Sequence, residues 1–103
     1  MNTINFVNCT GYEVRLNDGR VFPPSEIVAR VSAKCTGFDS NGIARIKYEE
    51  INLPLASPNT IYIVSEIVKM AEPQRDDFVC PAYGCKDVVH VNGQIVSVPG
   101  FIR

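Results

Sequence analysis

Hydrophobic and polar residues alternate along two successive runs in the middle of the chain. Residues 29–35 alternate small or apolar side chains with polar ones, and residues 44–49 do the same after the turn-forming Asp39-Ser40-Asn41-Gly42. A period of two is that of a β-strand, whose successive side chains point to opposite faces of a sheet. The pattern therefore predicts a half-buried hairpin over residues 27–51, with its apolar face toward the core.

Two further hairpins are predicted from their turn residues. Asp18-Gly19 and Asn92-Gly93 each lie between short alternating runs. Both central residues of a type I′ turn need positive φ, which Asn, Asp and Gly tolerate best, so each dipeptide predicts a tight type I′ turn. Residues 4–9 are expected to form a strand that precedes the first hairpin.

A buried strand and one helix are predicted in the second half of the chain. Residues 60–64 are β-branched, aromatic and almost wholly apolar, which is typical of a central strand covered on both faces. Residues 65–72 fit one short helix, with Ser65 at the N-cap and Pro73 as the stop. A polar loop at residues 74–77 and a loop that contains two cysteines follow.

The expected fold class is mostly β (α+β), with antiparallel hairpins that form a small sheet or partly closed barrel and one short helix. A length of 103 residues is enough for one core and too short for two, so residues 1–103 are expected to form a single domain.

Charge and apolar segments limit the possible partners. Ten basic residues face eleven acidic ones, giving a net charge of -1. This balance argues against general nucleic-acid binding, which depends on a basic excess, but permits a local basic pocket. The chain opens without a charged and apolar leader, and its apolar stretch at residues 61–71 is too short and too interrupted to span a bilayer. We therefore expect no membrane association and a cytoplasmic location, in the host cell if a phage encodes the protein.

Four cysteines and one histidine are the candidates for metal or nucleophilic chemistry. In a reducing compartment Cys9, Cys35, Cys80 and Cys85 are expected to be free thiols. A zinc site that uses Cys80, Cys85 and His90 is conceivable, but the spacing is wide and a second cysteine pair is missing, so no metal or cofactor is predicted. A nucleophilic Cys85 with His90 as its base has no motif to support it, and no phosphate-binding glycine loop is present. The protein is expected not to be an enzyme.

Two groups of charged residues are the candidate ligand contacts. In Arg75-Asp76-Asp77, the arginine could form a forked pair with a phosphate or carboxylate while an aspartate accepts a ribose or base donor. The alternative is a solvated loop in which Asp76 or Asp77 caps a turn. The polar face of the central hairpin carries the second group, namely Arg30, Lys34, Arg45 and Lys47. Here the alternatives are salt bridges with Glu49 and Glu50, or a strand edge protected by lysines.

Several stretches spread over most of the chain also support a resemblance. They are Phe22-Pro23-Pro24-Ser25, Val28-Ala29-Arg30-Val31, Thr60-Ile61-Tyr62-Ile63-Val64-Ser65, Pro73-Gln74-Arg75-Asp76-Asp77, Asn92-Gly93-Gln94-Ile95-Val96 and Gly100-Phe101. Together they resemble small uncharacterised proteins of bacteriophages, prophages and bacterial genomes. That family carries no assigned activity and no site residues. The resemblance implies the context of a small phage-type accessory protein, which by analogy works through binding rather than catalysis.

Two functional hypotheses follow. The first is a non-enzymatic binding module, in an anti-defence role, that captures a small phosphorylated or nucleotide ligand or blocks a host protein. Its expected contacts are Arg30, Arg45, Lys47, Arg75, Asp76 and Asp77. The second is a structural or assembly module that forms homo-oligomers through strand edges. A small hydrolase that uses Asp76, Asp77 or a Cys-His pair is a third and weaker possibility.

Overall fold

The computed structural model describes residues 3–103. Within these residues the chain forms ten short strands and one short helix. The elements in chain order are β1 (Asn5–Asn8), β2 (Val14–Arg15), β3 (Val21–Phe22), β4 (Arg30–Cys35), β5 (Ile46–Ile51), β6 (Thr60–Ile63), α1 (Glu66–Ala71), β7 (Phe78–Pro81), β8 (Val89–Val91), β9 (Gln94–Ser97) and β10 (Phe101–Ile102).

The fold is organised around a four-stranded sheet in the order β1-β6-β7-β10. β1 and β7 both run parallel to β6, and β10 closes the far edge antiparallel to β7. The remaining strands form three two-stranded antiparallel sheets, β2-β3, β4-β5 and β8-β9, and no sheet within the described residues closes into a barrel. The predicted class, mostly β with hairpins and one short helix, is confirmed.

The central sheet contains two strands that the sequence pattern did not predict, β7 and β10. β7 lies in the segment that was assigned to the cysteine-containing loop, and all four of its residues are buried. A strand buried on both faces does not alternate, and Pro81 at its end is typical of a loop, so the pattern gave no signal. α1 connects β6 to β7, and such a crossover allows two strands that are consecutive in the chain to run parallel.

Hydrophobic side chains cover both faces of this sheet. Tyr62, Val64 and Phe78 lie on one face, where Val68 of α1 packs on them. Ile63 and Val79 lie on the other face. The core is therefore a sheet between the helix on one side and the β2-β3 hairpin on the other, as a central β6 requires.

Three phenylalanines extend the core on the β2-β3 side. The ring centroids of Phe6 and Phe22 are 5.4 Å apart, those of Phe22 and Phe101 are 5.4 Å apart, and those of Phe6 and Phe101 are 5.7 Å apart. These separations are in the range of favourable edge-to-face and offset contacts. The cluster joins the first strand, the first hairpin and the last strand of the chain.

The predicted half-buried hairpin is present, but its burial was predicted wrongly. β4 and β5 pair over six residues each, from Arg30↔Ile51 to Cys35↔Ile46. Every residue of β5 is exposed, and in β4 only Val31 is half-buried, where it packs on the core. The alternating pattern correctly predicted which side chains share each face of the hairpin. The apolar face is nevertheless largely exposed, because the core does not extend over it. Residues 30–51 are hereafter called the arm.

The two predicted tight turns have different outcomes. Asn92 and Gly93 have φ of 53° and 78°, so the positive φ that a type I′ turn requires is confirmed at both. The hairpin predicted at Asp18-Gly19 is present as β2-β3, but the type I′ turn was predicted wrongly, because only Gly19 has positive φ, at 96°. The Leu16 N–H donates to the Arg20 carbonyl at 2.9 Å, so three residues form the loop and glycine takes the left-handed position at its end.

The helix matches its predicted limits. α1 follows Ser65 and ends ahead of Pro73, although the Ser65 side chain makes no capping hydrogen bond. No helix among residues 3–103 is long and apolar enough to cross a membrane.

Candidate functional site

A cleft of about 400 Å³ lies at the base of the arm. It is bounded by the arm, the loop that follows β1 and the start of α1. Its polar lining residues are Thr10, Arg30, Ser32 and Ser65, and its apolar ones include Val28, Ile51 and Ile67. Clefts that bind small ligands commonly enclose about 300–1,000 Å³ and are mostly apolar with a few polar groups, so this one is the candidate site.

Arg30 is the charged residue of the cleft, and its backbone is held on both sides. The N–H of Ala29 donates to the carbonyl of Cys9 at 3.0 Å, and the Ala29 side chain is buried. On the other side, Val31 packs against the core. Buried neighbours thus hold the backbone at Arg30, and its exposed side chain projects from a fixed point on the strand.

The guanidinium of Arg30 has no partner among residues 3–103. Among the described residues it takes part in no salt bridge and no side-chain hydrogen bond. Glu49 lies one strand away, but its carboxylate contacts the Lys34 ammonium instead, at 3.8 Å. Arg30 therefore contributes an uncompensated positive charge to the cleft.

The other basic residues of the arm lie elsewhere. Lys47 is paired across the strands with Lys34, toward the tip, and Arg45 precedes β5 opposite Thr36. Both are exposed, and neither lines the cleft. The predicted basic face exists as a face, since Arg30, Lys34 and Lys47 share one side of the arm, but only Arg30 reaches the cleft.

Arg75 has an internal structural role. Its guanidinium donates to Asp77 from Nε and Nη2, both at 2.8 Å, and Nη2 also donates to the Pro54 carbonyl at 3.0 Å. Its central carbon lies 4.0 Å from the ring centroid of Phe78. Hydrogen bonding to the aspartate raises the pKa of Arg75 and lowers that of Asp77. The predicted ligand contacts Arg75 and Asp77 thus satisfy each other.

Asp76, the third charged residue of that segment, takes no part in this pair. It is exposed, and its backbone carbonyl accepts a hydrogen bond from Arg103 Nε at 2.7 Å. The structure therefore does not bring residues 75–77 together with the basic face of the arm: no hydrogen bond or ion pair links the two within residues 3–103.

Two carboxyl groups meet where the arm approaches the end of the helix. The pKa of Glu50 is raised, chiefly by a side-chain hydrogen bond with Glu72, and further by desolvation and by the charge of Glu72. Ionisation of Glu50 would place a negative charge beside Glu72 and so disfavour this contact. Neither residue lines the cleft.

Two cysteines lie in one core cluster, and the other two are exposed. Cys9 and Cys80 are buried, and burial raises the pKa of both thiols, while Cys35 and Cys85 are exposed. In the part of the chain that the structure describes, no three His, Cys, Asp or Glu side chains are grouped as metal ligands are. His90 lies on the exposed strand β8. That the thiols are reduced and free of metal stays a prediction.

Sequence reasoning found Arg30 but missed the rest of the cleft. Thr10, Ser65 and Ile67 come from a loop and from the start of a helix, and they reach Arg30 only through the tertiary fold. The sequence predicts Ser65 as an N-cap. Its hydroxyl makes no capping hydrogen bond and so is free for a ligand, which only the structure reveals.

No family model, no curated protein and no solved structure matches this chain. The function of the cleft therefore rests on the chemistry of its own residues.

Proposed function

We propose that the protein is a non-enzymatic binding module that captures a small phosphorylated ligand, of the size of a nucleotide, in the cleft at the base of the arm. The single observation that supports this is Arg30, the one charged side chain that lines the cleft, whose guanidinium has no partner among residues 3–103. Binding of an anion beside such an unpaired positive charge is favourable.

The lining of the cleft suits the two parts of a nucleotide. A guanidinium forms two parallel hydrogen bonds with a phosphate, and the hydroxyls of Ser32 and Ser65 add neutral donors near it. The apolar side chains of Ile51 and Ile67 offer a surface for a flat base. The ligand is thereby held at a charged end and an apolar end, with no nucleophile or base required.

Size and charge favour a small ligand over a polymer. A volume of about 400 Å³ accommodates one small molecule, and a net charge of -1 offers no attraction to a long polyanion. Because the sequence resembles small phage-type accessory proteins, we favour a nucleotide signal of the host as the ligand. Capture would lower its free concentration without any chemical step, which is an anti-defence role.

The test combines identification of the ligand with a matched pair of variants. Small molecules released by heat from protein purified out of phage-infected cells are identified by mass spectrometry. Ribonucleoside monophosphates and cyclic dinucleotides are then titrated by calorimetry, with inorganic phosphate as the minimal probe. Arg30→Ala removes the cleft charge, and Arg45→Ala removes an equal charge on the arm outside the cleft.

We expect Arg30→Ala to weaken binding about thirty- to a hundred-fold, since it removes a charged hydrogen-bond partner worth about 2–3 kcal/mol. Arg45→Ala should bind as the unmodified protein does, and both variants should keep its thermal midpoint. The proposal fails if no probe binds at about 1 mM, or if the two variants bind equally well.

A further inference from the structure

The outer edge of β5 in the arm is open. Within residues 3–103, β5 pairs with β4 and with no other strand. The Thr36 N–H donates to the Arg45 carbonyl at 2.8 Å, which fixes the alternation of the antiparallel ladder. Lys47 and Glu49 therefore direct their backbone groups toward β4, while Ile46, Tyr48 and Glu50 direct theirs outward. Three N–H and three carbonyl groups thus face the open edge.

An open edge of this kind pairs with another strand unless its side chains oppose pairing. The charges of β5 are placed symmetrically about Tyr48. Lys47 precedes it and Glu49 follows it, and these two residues share the opposite face of the strand and carry opposite charges. Lys47 makes no salt bridge within the described residues, and its cross-strand neighbour is another cation, Lys34. Like charges directly opposite each other are destabilising, so an anion beside Lys47 would be favourable.

We propose that the occupant of this edge is a second copy of the same chain, paired antiparallel along β5 about a two-fold axis at Tyr48. In that register Tyr48 faces its own copy, and Ile46 faces the partner's Glu50, so all the outward backbone groups are matched. Lys47 then lies directly opposite the partner's Glu49, and the partner's Lys47 opposite Glu49. Two opposite-charge pairs form at once.

Charge distinguishes the neighbouring registers. Antiparallel copies in one sheet must shift by two residues to keep their faces aligned. A shift in one direction places Glu49 opposite the partner's Glu49. A shift in the other places Lys47 opposite the partner's Lys47 and Arg45 opposite the partner's Glu49, but Arg45 precedes β5 and lies outside the strand. Only the register centred on Tyr48 places both Lys47 and Glu49 opposite a charge of the other sign. The pairing extends the arm to four strands, in the order β4-β5-β5-β4.

The interface is small. It rests on a few residue pairs. The surface area that it buries is therefore well below the roughly 1,600 Å² that a stable protein interface buries. A reversible dimer that depends on protein concentration is therefore expected. Backbone amides of Ile46, Tyr48 and Glu50 should exchange with solvent more slowly as concentration rises.

Two charge reversals test the register. Lys47→Glu and Glu49→Lys each replace the two attractive pairs with two repulsive ones, so each variant alone should dimerise at least about tenfold more weakly in sedimentation velocity. Mixed one to one, they restore opposite charges at both contacts, and the heterodimer should form at least as tightly as the original dimer. Lys86→Glu makes the same charge change as Lys47→Glu at an exposed site outside the arm and should leave dimerisation unchanged.

Three outcomes would overturn the proposal. The first is a protein that remains monomeric up to about 1 mM. The second is a dimer that both single variants leave intact, because a different surface would then hold it. The third is a pair of weakened variants that do not associate on mixing. Unchanged circular dichroism of the variants establishes that the arm still folds in each case.

Discussion

The guanidinium of Arg75 and the carboxylate of Asp77 form two parallel hydrogen bonds, each 2.8 Å long. The two side chains are only 23% and 20% exposed, and the pair lies against the ring of Phe78. The guanidinium also reaches back to the Pro54 carbonyl, so it ties the loop ahead of β6 to the loop ahead of β7. Two residues that resemble ligand contacts in the sequence thus hold the central sheet's connections in place.

Arg75→Ala is expected to destabilise the protein. Its contacts predict a loss of about 2–3 kcal/mol in the free energy of unfolding, since Asp77 would remain half-buried without its partner. Urea denaturation measures the change. Asp76→Ala serves as the control, because that side chain is exposed and should change stability by less than about 0.5 kcal/mol. Equal stability of the two variants would contradict a structural role for Arg75.

The same ion pair should make stability depend on pH in the acid range. Hydrogen bonding to Arg75 lowers the pKa of Asp77 in the folded protein, so its contribution is complete above the unfolded value of about 4. The contribution is lost as the pH falls through the lower folded pKa. Asp77→Asn should therefore reduce the free energy of unfolding at pH 7 and have a diminishing effect in acid. A variant whose deficit stays constant down to about pH 2 would show that ionisation of Asp77 is not the source.

The last hairpin is expected to tolerate glycine at Asn92 but not a β-branched residue. Asn92 has φ of 53°, and a left-handed conformation costs other residues about 1–2 kcal/mol. Asn92→Val should therefore speed amide exchange in β8 and β9, whereas Asn92→Gly should leave it nearly unchanged. Hydrogen exchange followed by mass spectrometry is suitable because the hairpin is largely exposed and opens locally. Equal exchange in the two variants would mean that φ at this turn does not limit the hairpin.

Much of the local structure was predictable because it depends on neighbours in the chain. The limits of α1 follow from Ser65 and Pro73, and the turn at Asn92-Gly93 follows from the few residues that accept positive φ. The alternation in the arm fixed which side chains share a face, including the basic side with Arg30. These features arise from local sterics and periodicity, which a sequence contains in full.

The candidate site was predictable only in one residue. Arg30 was identified from its position on a polar strand face, but the hydroxyls and apolar walls of its cleft come from segments far away in the chain. Arg75 carried the stronger sequence signal and proved to have a partner two residues away. A charge shows in the sequence, but whether it is neutralised depends on geometry.

Only the tertiary structure decided how the strands are arranged and what they cover. β7 is buried on both faces, so its residues do not alternate, and its place beside β6 depends on the crossover through α1. The exposure of the arm could likewise not be predicted from the sequence. A period of two indicates which residues share a face of the strand but not whether another layer packs on that face. Local periodicity is set by the backbone, whereas burial is set by distant segments that compete for the same core.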